Sequence, residues 1–252
     1  MVRTMTTVYT EQVRCAICGE ETECTGIGST NALGSPDLDT RPPEMERSTI
    51  HAWVQRCPRC GYCASNLGQG ESHIGDLLEK PEYVAQLREP DSPALANSFL
   101  CKAMIDDYNK EWANATWALI HAAWACDDAS HSRQAQKCRE RAVGMLGKAE
   151  ESGQSLTDQG DTDTAILVDL MRRSDHLAEA KEVIQSRGHP SRETVIRKIM
   201  YYQILLIERG DLQSHTIAEA LHGEQDRAAS NTGTLDSDTA CTTGKRWWQV
   251  WK

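Results

Sequence analysis

The chain has 252 residues, a formal net charge of −10 and a hydrophobic content of 39%. This length suits one large domain or two modest ones, and the acidity argues against nucleic acid as a partner, because non-specific binding depends on Lys and Arg that neutralise phosphates. The sequence has no run of about 18 apolar residues and no apolar segment of the signal-peptide type near its start, so we expect a cytoplasmic protein without a membrane span.

The first predicted unit, residues 1–75, is rich in Cys, Gly, Pro and Thr. Short runs at 7–9 and 50–54 alternate between apolar and polar residues, which is typical of short strands. Short strands around a metal-binding motif predict a small zinc-ribbon-like β domain.

Two copies of one motif, CxxCG, lie within this unit at residues 15–19 and 57–61. In each copy two sulfurs converge on one metal ion, and the glycine takes the strained position after the turn. Ten cysteines without an export signal favour a reducing compartment, where such pairs are more often metal ligands than disulfides. Four soft ligands form the closed set of structural zinc, whereas catalytic zinc keeps an open position. The motif therefore predicts one structural Zn2+, with iron as the alternative metal, bound by Cys15, Cys18, Cys57 and Cys60.

Four other residues of the same unit keep the ligand set open: Cys24, His51, Cys63 and His73. Cys63 follows Cys60 at a further CxxC spacing, so any of the four could replace a ligand or build a second site. We favour Cys24 and Cys63 as small, half-buried thiols close to the metal.

The long segment between the two motifs, residues 26–45, contains glycines and prolines that disfavour regular structure. Asp37, Asp39, Arg41 and Glu44 place charges close together within it. One interpretation is a binding loop, or a carboxylate pair suited to a hard divalent cation. The interpretation we favour is a long surface loop that Asp39 and Arg41 tie to the ribbon.

A transition over 76–92 leads into a predicted helical domain over 93–222. His121 lies on an apolar helix face with Trp117 and Trp124, which predicts a hydrogen-bonded core histidine rather than a ligand or a base. Ser130 is a candidate N-cap. The expected helices cover residues 93–110, 112–126, 130–151, 164–173, 177–187, 192–209 and 212–221.

The last four helices repeat with an offset of 35 residues, which places Leu170 on Leu205 and Asp175 on Gly210. Two helices in about 34 residues are the signature of tetratricopeptide repeats (TPR). We therefore predict an α+β fold that is mainly α, in which TPR-like helical hairpins follow the zinc-ribbon-like domain. A generic helical bundle is the alternative.

The last segment, residues 223–252, is poor in large apolar residues until it ends in KRWWQVWK. Its composition predicts a flexible tail. The Trp-rich end could dock in a partner's groove, rest at a membrane surface or fold back on the helices.

The order of these motifs resembles a bacterial family grouped as domain of unknown function 2225. The resemblance rests on the two CxxCG motifs, the Gly-Ser-Pro-Asp-Leu-Asp-x-Arg-Pro-Pro loop over 34–43 and the Trp-Val-Gln-Arg sequence over 53–56. It covers about residues 10–220 and implies the same architecture and a bacterial cytoplasmic setting, without supplying a reaction. The tail after Gly223 departs from the pattern.

Three functions are compatible with the sequence. The leading hypothesis is a non-enzymatic, zinc-binding scaffold that binds another protein through the groove of its helical repeats. The second is a metal-associated hydrolase or transferase that uses Asp37 and Asp39. The third is a nucleic-acid-binding zinc ribbon that uses Arg41, Arg56 and Arg59, against which the net acidity counts.

Overall fold

A computed structural model describes residues 6–158, 160–187 and 195–222. The fold is mainly helical with short strands near the N-terminus, which confirms the mainly α class of the α+β prediction. The predicted Trp-rich tail lies outside the described residues. The strands are β1 (Thr7–Arg14), β2 (Glu21–Ser29), β3 (Gln55–Arg56) and β4 (Cys63–Ala64). The helices are α1 (Ile74–Leu78), α2 (Pro81–Leu87), α3 (Ala94–Tyr108), α4 (Trp112–Asp128), α5 (Ser132–Glu151), α6 (Gly160–Arg173), α7 (Leu177–Arg187), α8 (Val195–Glu208) and α9 (Ile217–His222).

Two antiparallel hairpins, β1–β2 and β3–β4, form the N-terminal part. The strand expected at 7–9 is confirmed, but the strand expected at 50–54 is wrong, because a 3-10 helix covers Arg47–Ala52. The Thr49 hydroxyl donates to the Glu46 carbonyl oxygen, and Trp53 Nε1 donates to the same hydroxyl at 2.9 Å. These local bonds stabilise the turn over an extended strand.

Five helices end in the same way, with a residue of positive φ two positions after the last helical residue. These residues are Lys110, Ser130, Gly153, Asp175 and Gly210. In each case the next N–H bonds a carbonyl five residues back, as in a Schellman motif. The prediction of Ser130 as an N-cap is therefore wrong: Ser130 completes the end of α4, and His131 occupies the N-cap position of α5.

Two of these helix ends lie 35 residues apart, at the offset of the predicted repeat. Asp175 and Gly210, which the offset superimposes, both have positive φ. The N–H of His176 bonds the Met171 oxygen and the N–H of Asp211 bonds the Leu206 oxygen, each at 2.9 Å. Because α3, α4 and α5 end in the same way, this geometry does not distinguish a repeat, and the repeat and its identity as a TPR stay predictions.

Apolar residues from both predicted domains share one core. A single buried cluster contains Cys15 and Cys57 from the hairpins together with Phe99 on α3, Trp124 on α4 and Leu170 on α6. A second cluster joins α6, α7, α8 and α9. The predicted boundary over 76–92 stays a prediction, although β4 packs directly on α3 and residues of both parts belong to this shared core.

The segment between the two CxxCG motifs is not the surface loop that we expected. Its first residues belong to β2, and its centre is buried, with Leu38 packed into the second cluster. The N–H of Leu38 bonds the His215 oxygen and the N–H of Ile217 bonds the Pro36 oxygen, both at 2.9 Å. The loop therefore lies against the segment before α9.

Asp39 is the most buried charged residue of this loop, at 1% exposure. Its Oδ2 accepts hydrogen bonds from Trp124 Nε1 at 2.7 Å and from Arg173 Nη1 at 2.9 Å. Burial alone would raise the pKa of Asp39, but the Arg173 and Arg139 guanidinium groups outweigh it and hold the pKa below its ordinary value. Arg41 forms an ion pair with Asp128 at 2.6 Å. Asp39 and Arg41 thus tie the loop to α4 and α6 rather than to the ribbon.

Replacing Asp39 by Asn should destabilise the fold strongly. The substitution leaves the buried Arg173 without one of its counter-charges, and removing one partner of a buried pair typically costs about 3–5 kcal/mol. Urea unfolding followed by circular dichroism measures the change. Glu150→Gln is the control, since the Glu150–Arg187 pair is exposed and worth about 1 kcal/mol or less. Equal losses in the two variants would contradict a central role for Asp39.

His121 packs among aromatic rings of the core but is only half-buried, and it lacks the predicted hydrogen bond. Four aromatic rings surround it at centroid distances of 4.9–6.0 Å. Neither imidazole nitrogen has a partner among the described residues. Burial is the main cause that lowers the pKa of His121 to about 3; the Lys102 ammonium lowers it as well, and the Asp39 carboxylate opposes this with a smaller effect. The folded protein therefore holds His121 neutral.

Acid should destabilise the protein through His121. The unfolded chain binds a proton at this residue as the pH falls through about 6.5, whereas the folded chain does not until about 3, so stability falls with pH in this window. Between pH 7.5 and 5.5 the loss should be about 1.4 kcal/mol. Urea unfolding of wild type and His121→Phe at both pH values measures it, because other titrating groups are common to both. An equal pH dependence in the two proteins would contradict the neutral state.

Candidate metal centre

The four predicted ligands come together at one point. The sulfur atoms of Cys15, Cys18, Cys57 and Cys60 all lie within 4.8 Å of one another. The Cys15 and Cys60 sulfurs are 3.8 Å apart, and the Cys18 and Cys57 sulfurs are 3.6 Å apart. Tetrahedral ligands at a Zn–S distance of about 2.3 Å would be about 3.8 Å apart. The cluster therefore has the size that a single tetrahedral metal ion needs.

Each cysteine pair lies at the turn of a hairpin, and the two turns are built alike. The N–H of Gly19 bonds the Cys15 oxygen at 2.9 Å, and the N–H of Gly61 bonds the Cys57 oxygen at 3.0 Å. Gly19 and Gly61 have φ values of 75° and 76°, in the left-handed region that favours glycine. The same local geometry, formed twice, presents two sulfurs from each side.

Backbone amides face the sulfurs. Burial raises the pKa of Cys18, but the Glu20 N–H and the neighbouring thiols outweigh this effect and lower the pKa to about 7. Burial raises the pKa of Cys57 and of Cys60, against the opposing effect of backbone N–H donors. Four thiolates in one small volume repel one another, so a bound cation is what allows all four to ionise together.

The second turn is fixed to the helices. Tyr83 on α2 donates a hydrogen bond to the Gly61 oxygen at 2.8 Å. A Cβ atom at Gly61 would lie 2.5 Å from Leu87 Cδ2, so this turn packs tightly on α2 as well. The first turn is held by the N–H of Ala16, which bonds the Leu67 oxygen at 2.8 Å. The metal position is therefore specified by contacts outside the cysteines.

The other candidate ligands do not join this cluster. Cys24 is buried in β2 and Cys63 is buried in β4, where its thiol bonds the Gly61 oxygen. His51 Nδ1 pairs with the Ser48 oxygen, and His73 Nε2 pairs with Asn109 Oδ1, both at 3.0 Å. Within residues 6–158, 160–187 and 195–222, no second group of His, Cys, Asp or Glu has metal-binding spacing.

The two carboxylates of the hydrolase or transferase hypothesis are bonded to other residues of the protein. Asp37 forms an ion pair with Arg47 at 2.8 Å and accepts a hydrogen bond from Ser214, while Asp39 is bonded to α4 and α6. Burial and the nearby Asp39 charge raise the pKa of Asp37. The two carboxylates therefore hold the loop in place.

The three arginines of the nucleic-acid hypothesis each have a partner within the protein. Arg41 is 6% exposed and paired with Asp128, so it cannot reach a phosphate. Arg59 is exposed but lies 3.7 Å from Glu20, and the exposed Arg56 donates to the Leu87 oxygen. These positions disfavour the nucleic-acid hypothesis.

Sequence reasoning missed the residues that complete the loop's ion pairs. Asp127 at the end of α4 pairs with Arg139 on α5 and with Arg173 on α6. The adjacent charges at 127–128 and 172–173, at the ends of apolar helices, are the signal that could have pointed to them.

Comparison with protein-family models, with curated proteins and with solved structures finds no match for this chain. Among the described residues, no helix combines the length and the apolar character needed to cross a membrane. The function is therefore inferred from the chain's own residues, and the resemblance to the domain of unknown function 2225 stays a prediction.

Metal content should depend on the four clustered cysteines and not on their neighbours. Protein purified without added metal should contain one zinc ion per chain, and Cys57→Ser should lose it, because three thiolates and a hydroxyl bind zinc far more weakly. Cys63→Ser is the matched control: Cys63 lies three residues after Cys60 but outside the cluster, so this variant should retain the metal. Elemental analysis measures both. Retention of metal by a folded Cys57→Ser variant would contradict the ligand set.

Proposed function

We propose that the four-cysteine cluster binds a structural Zn2+ ion and that the protein is a non-enzymatic scaffold that binds another protein through its helical part. The observation that carries the metal assignment is the set of four sulfurs within 4.8 Å of one another. Four protein ligands complete a tetrahedral zinc sphere and leave no position for a substrate. The same arrangement, two cysteine turns on two hairpins, supports a zinc-ribbon-like unit.

A structural role agrees with the position of the cluster in the chain. The cluster joins the two hairpins, and the segment between them is bound to α4, α6 and the residues before α9. A metal that holds both hairpins therefore also holds both ends of this buried segment. Loss of the metal would release the segment and expose Asp39 together with its buried partners.

The scaffold function is supported by a groove on the helical part. Its volume is about 480 Å3, and it lies where α5, α6 and α7 meet. Val143 and Met171 supply apolar surface, and Glu140 and Glu179 supply negative charge on either side of His176. Stacked helical hairpins commonly use such concave surfaces to bind peptides. The chemistry of this groove fits a segment with apolar and basic side chains.

Selection of peptides on the zinc-loaded protein tests this function. We expect enrichment of segments that combine apolar residues with Lys or Arg, because the groove pairs apolar surface with two carboxylates. The double variant Glu140→Lys/Glu179→Lys should bind the selected peptides about tenfold or more weakly, since like charges then face each other. Fluorescence anisotropy with labelled peptides measures the dissociation constants.

The matched control is Glu151→Lys/Glu182→Lys. These residues are exposed on the same two helices, α5 and α7, and do not line the groove. The control makes the same change in net charge, so it should leave binding of the selected peptides within about twofold if the groove is the binding site. Equal weakening by both double variants would show a general charge effect and contradict the proposed groove.

A further inference from the structure

A second cavity, distinct from the metal centre and from the helical groove, lies where the inter-motif segment meets α3 and α4. Its volume is about 370 Å3, within the range of small-molecule sites. Aromatic side chains dominate one part of its wall, and polar side chains line the rest. The lining includes Trp53, Phe99, Trp117, His121, Lys102 and Asn114.

The indole rings of this wall are held in place by hydrogen bonds that point away from the cavity. Trp53 Nε1 donates to the Thr49 hydroxyl at 2.9 Å, and Trp117 Nε1 donates to the Leu156 oxygen at 3.3 Å. Rings that are fixed before a ligand arrives lose little conformational entropy on binding. The aromatic wall is therefore preorganised, and its half-buried indole rings suit contact with a flat ring.

His121 is the polar group of this wall that lacks a partner. Its ring lies 5.1 Å from Trp53, 5.3 Å from Phe99 and 6.0 Å from Trp117, measured between centroids. No described residue hydrogen-bonds either nitrogen, and the ring lines the cavity. A neutral imidazole offers one donor and one acceptor, and this side chain is half-buried rather than sealed in the core. A ligand in the cavity can supply the missing partner.

Lys102 supplies a positive charge to the wall of this cavity. One N–H of its ammonium bonds Asp106 Oδ2 at 2.7 Å, and the remaining two have no partner among the described residues. Lys102 lines both this cavity and a neighbouring cavity of about 380 Å3, so it lies at their junction. Aromatic walls often bind organic cations, but an ammonium at the edge repels a cation and attracts an anion.

We propose that this cavity binds a small planar aromatic carboxylate. The ring lies against Trp53, Phe99 and Trp117, a polar atom of the ligand bonds His121, and the carboxylate pairs with Lys102. The inference goes beyond the proposed scaffold function and does not depend on it, because the peptide groove is formed by other residues, on α5, α6 and α7.

Isothermal titration calorimetry of the zinc-loaded full-length protein tests the proposal with three probes that share one ring. Indole-3-acetate is an anion, indole-3-acetamide is neutral and tryptamine is a cation. We expect one site per chain, with indole-3-acetate bound about tenfold more tightly than the amide and tryptamine bound most weakly. Absence of saturable binding, or tightest binding of tryptamine, would overturn the proposal.

Two variants locate the binding on the cavity wall. Lys102→Gln/Asp106→Asn removes both charges of the buried pair together, so no unpaired charge remains, and it should abolish the tenfold preference for the anion. Trp117→Leu should weaken all three probes by a similar factor. Lys148→Gln and Trp112→Leu are the controls, since neither residue lines the cavity. Circular dichroism verifies folding, and an anion preference that persists in the charge-free pair variant would overturn the proposal.

Discussion

The buried carboxylate of Asp39 is the constraint on which the rest of the structure depends. A charge at 1% exposure is tolerated only with counter-charges and hydrogen bonds around it, and here these come from Trp124 on α4 and Arg173 on α6. The loop that carries Asp39 cannot leave this position without exposing or stranding those partners. Arg41, paired with Asp128, adds a second charged contact from the same loop. The segment between the hairpins is therefore part of the helical core.

This position of the loop links the metal centre to the distant helices. The loop begins and ends in the hairpins that carry the cysteines, and its centre bonds His215 and Ile217 in the last described segment. A metal ion bound at the cluster would limit how far the two ends of the loop can separate, which would lower the conformational entropy that the loop loses on docking. The two hairpins and the helices are thus two coupled parts, although the sequence divides them by composition.

What the sequence predicted well is encoded locally. The cysteine turns depend on five consecutive residues each, and the helices α3, α4, α6 and α7 follow from apolar periodicity and nearby breakers, so their bounds lie within a few residues of those expected. The prediction of a surface loop was wrong because the partners of the loop are far along the chain. Trp124 is 85 residues from Asp39, and Arg173 is 134 residues away. Glycines, prolines and charges indicate an irregular segment, but they do not tell whether it is exposed. The prediction of Ser130 as an N-cap was wrong for a local reason, since Ser130 is of a residue type that suits an N-cap but here has the positive φ of a helix end.

The cysteine cluster is connected through the chain to surfaces that contain no cysteine. Trp53 lies four residues before Cys57, and its indole both bonds Thr49 in the 3-10 helix and forms part of the aromatic cavity wall. The opposite wall comes from α3 and α4, so the cavity exists only while the inter-motif segment is held against these helices. The helical groove, in contrast, is built from α5, α6 and α7 alone. If the metal fixes the inter-motif segment, it controls the shape of the cavity directly and that of the groove only through the shared core.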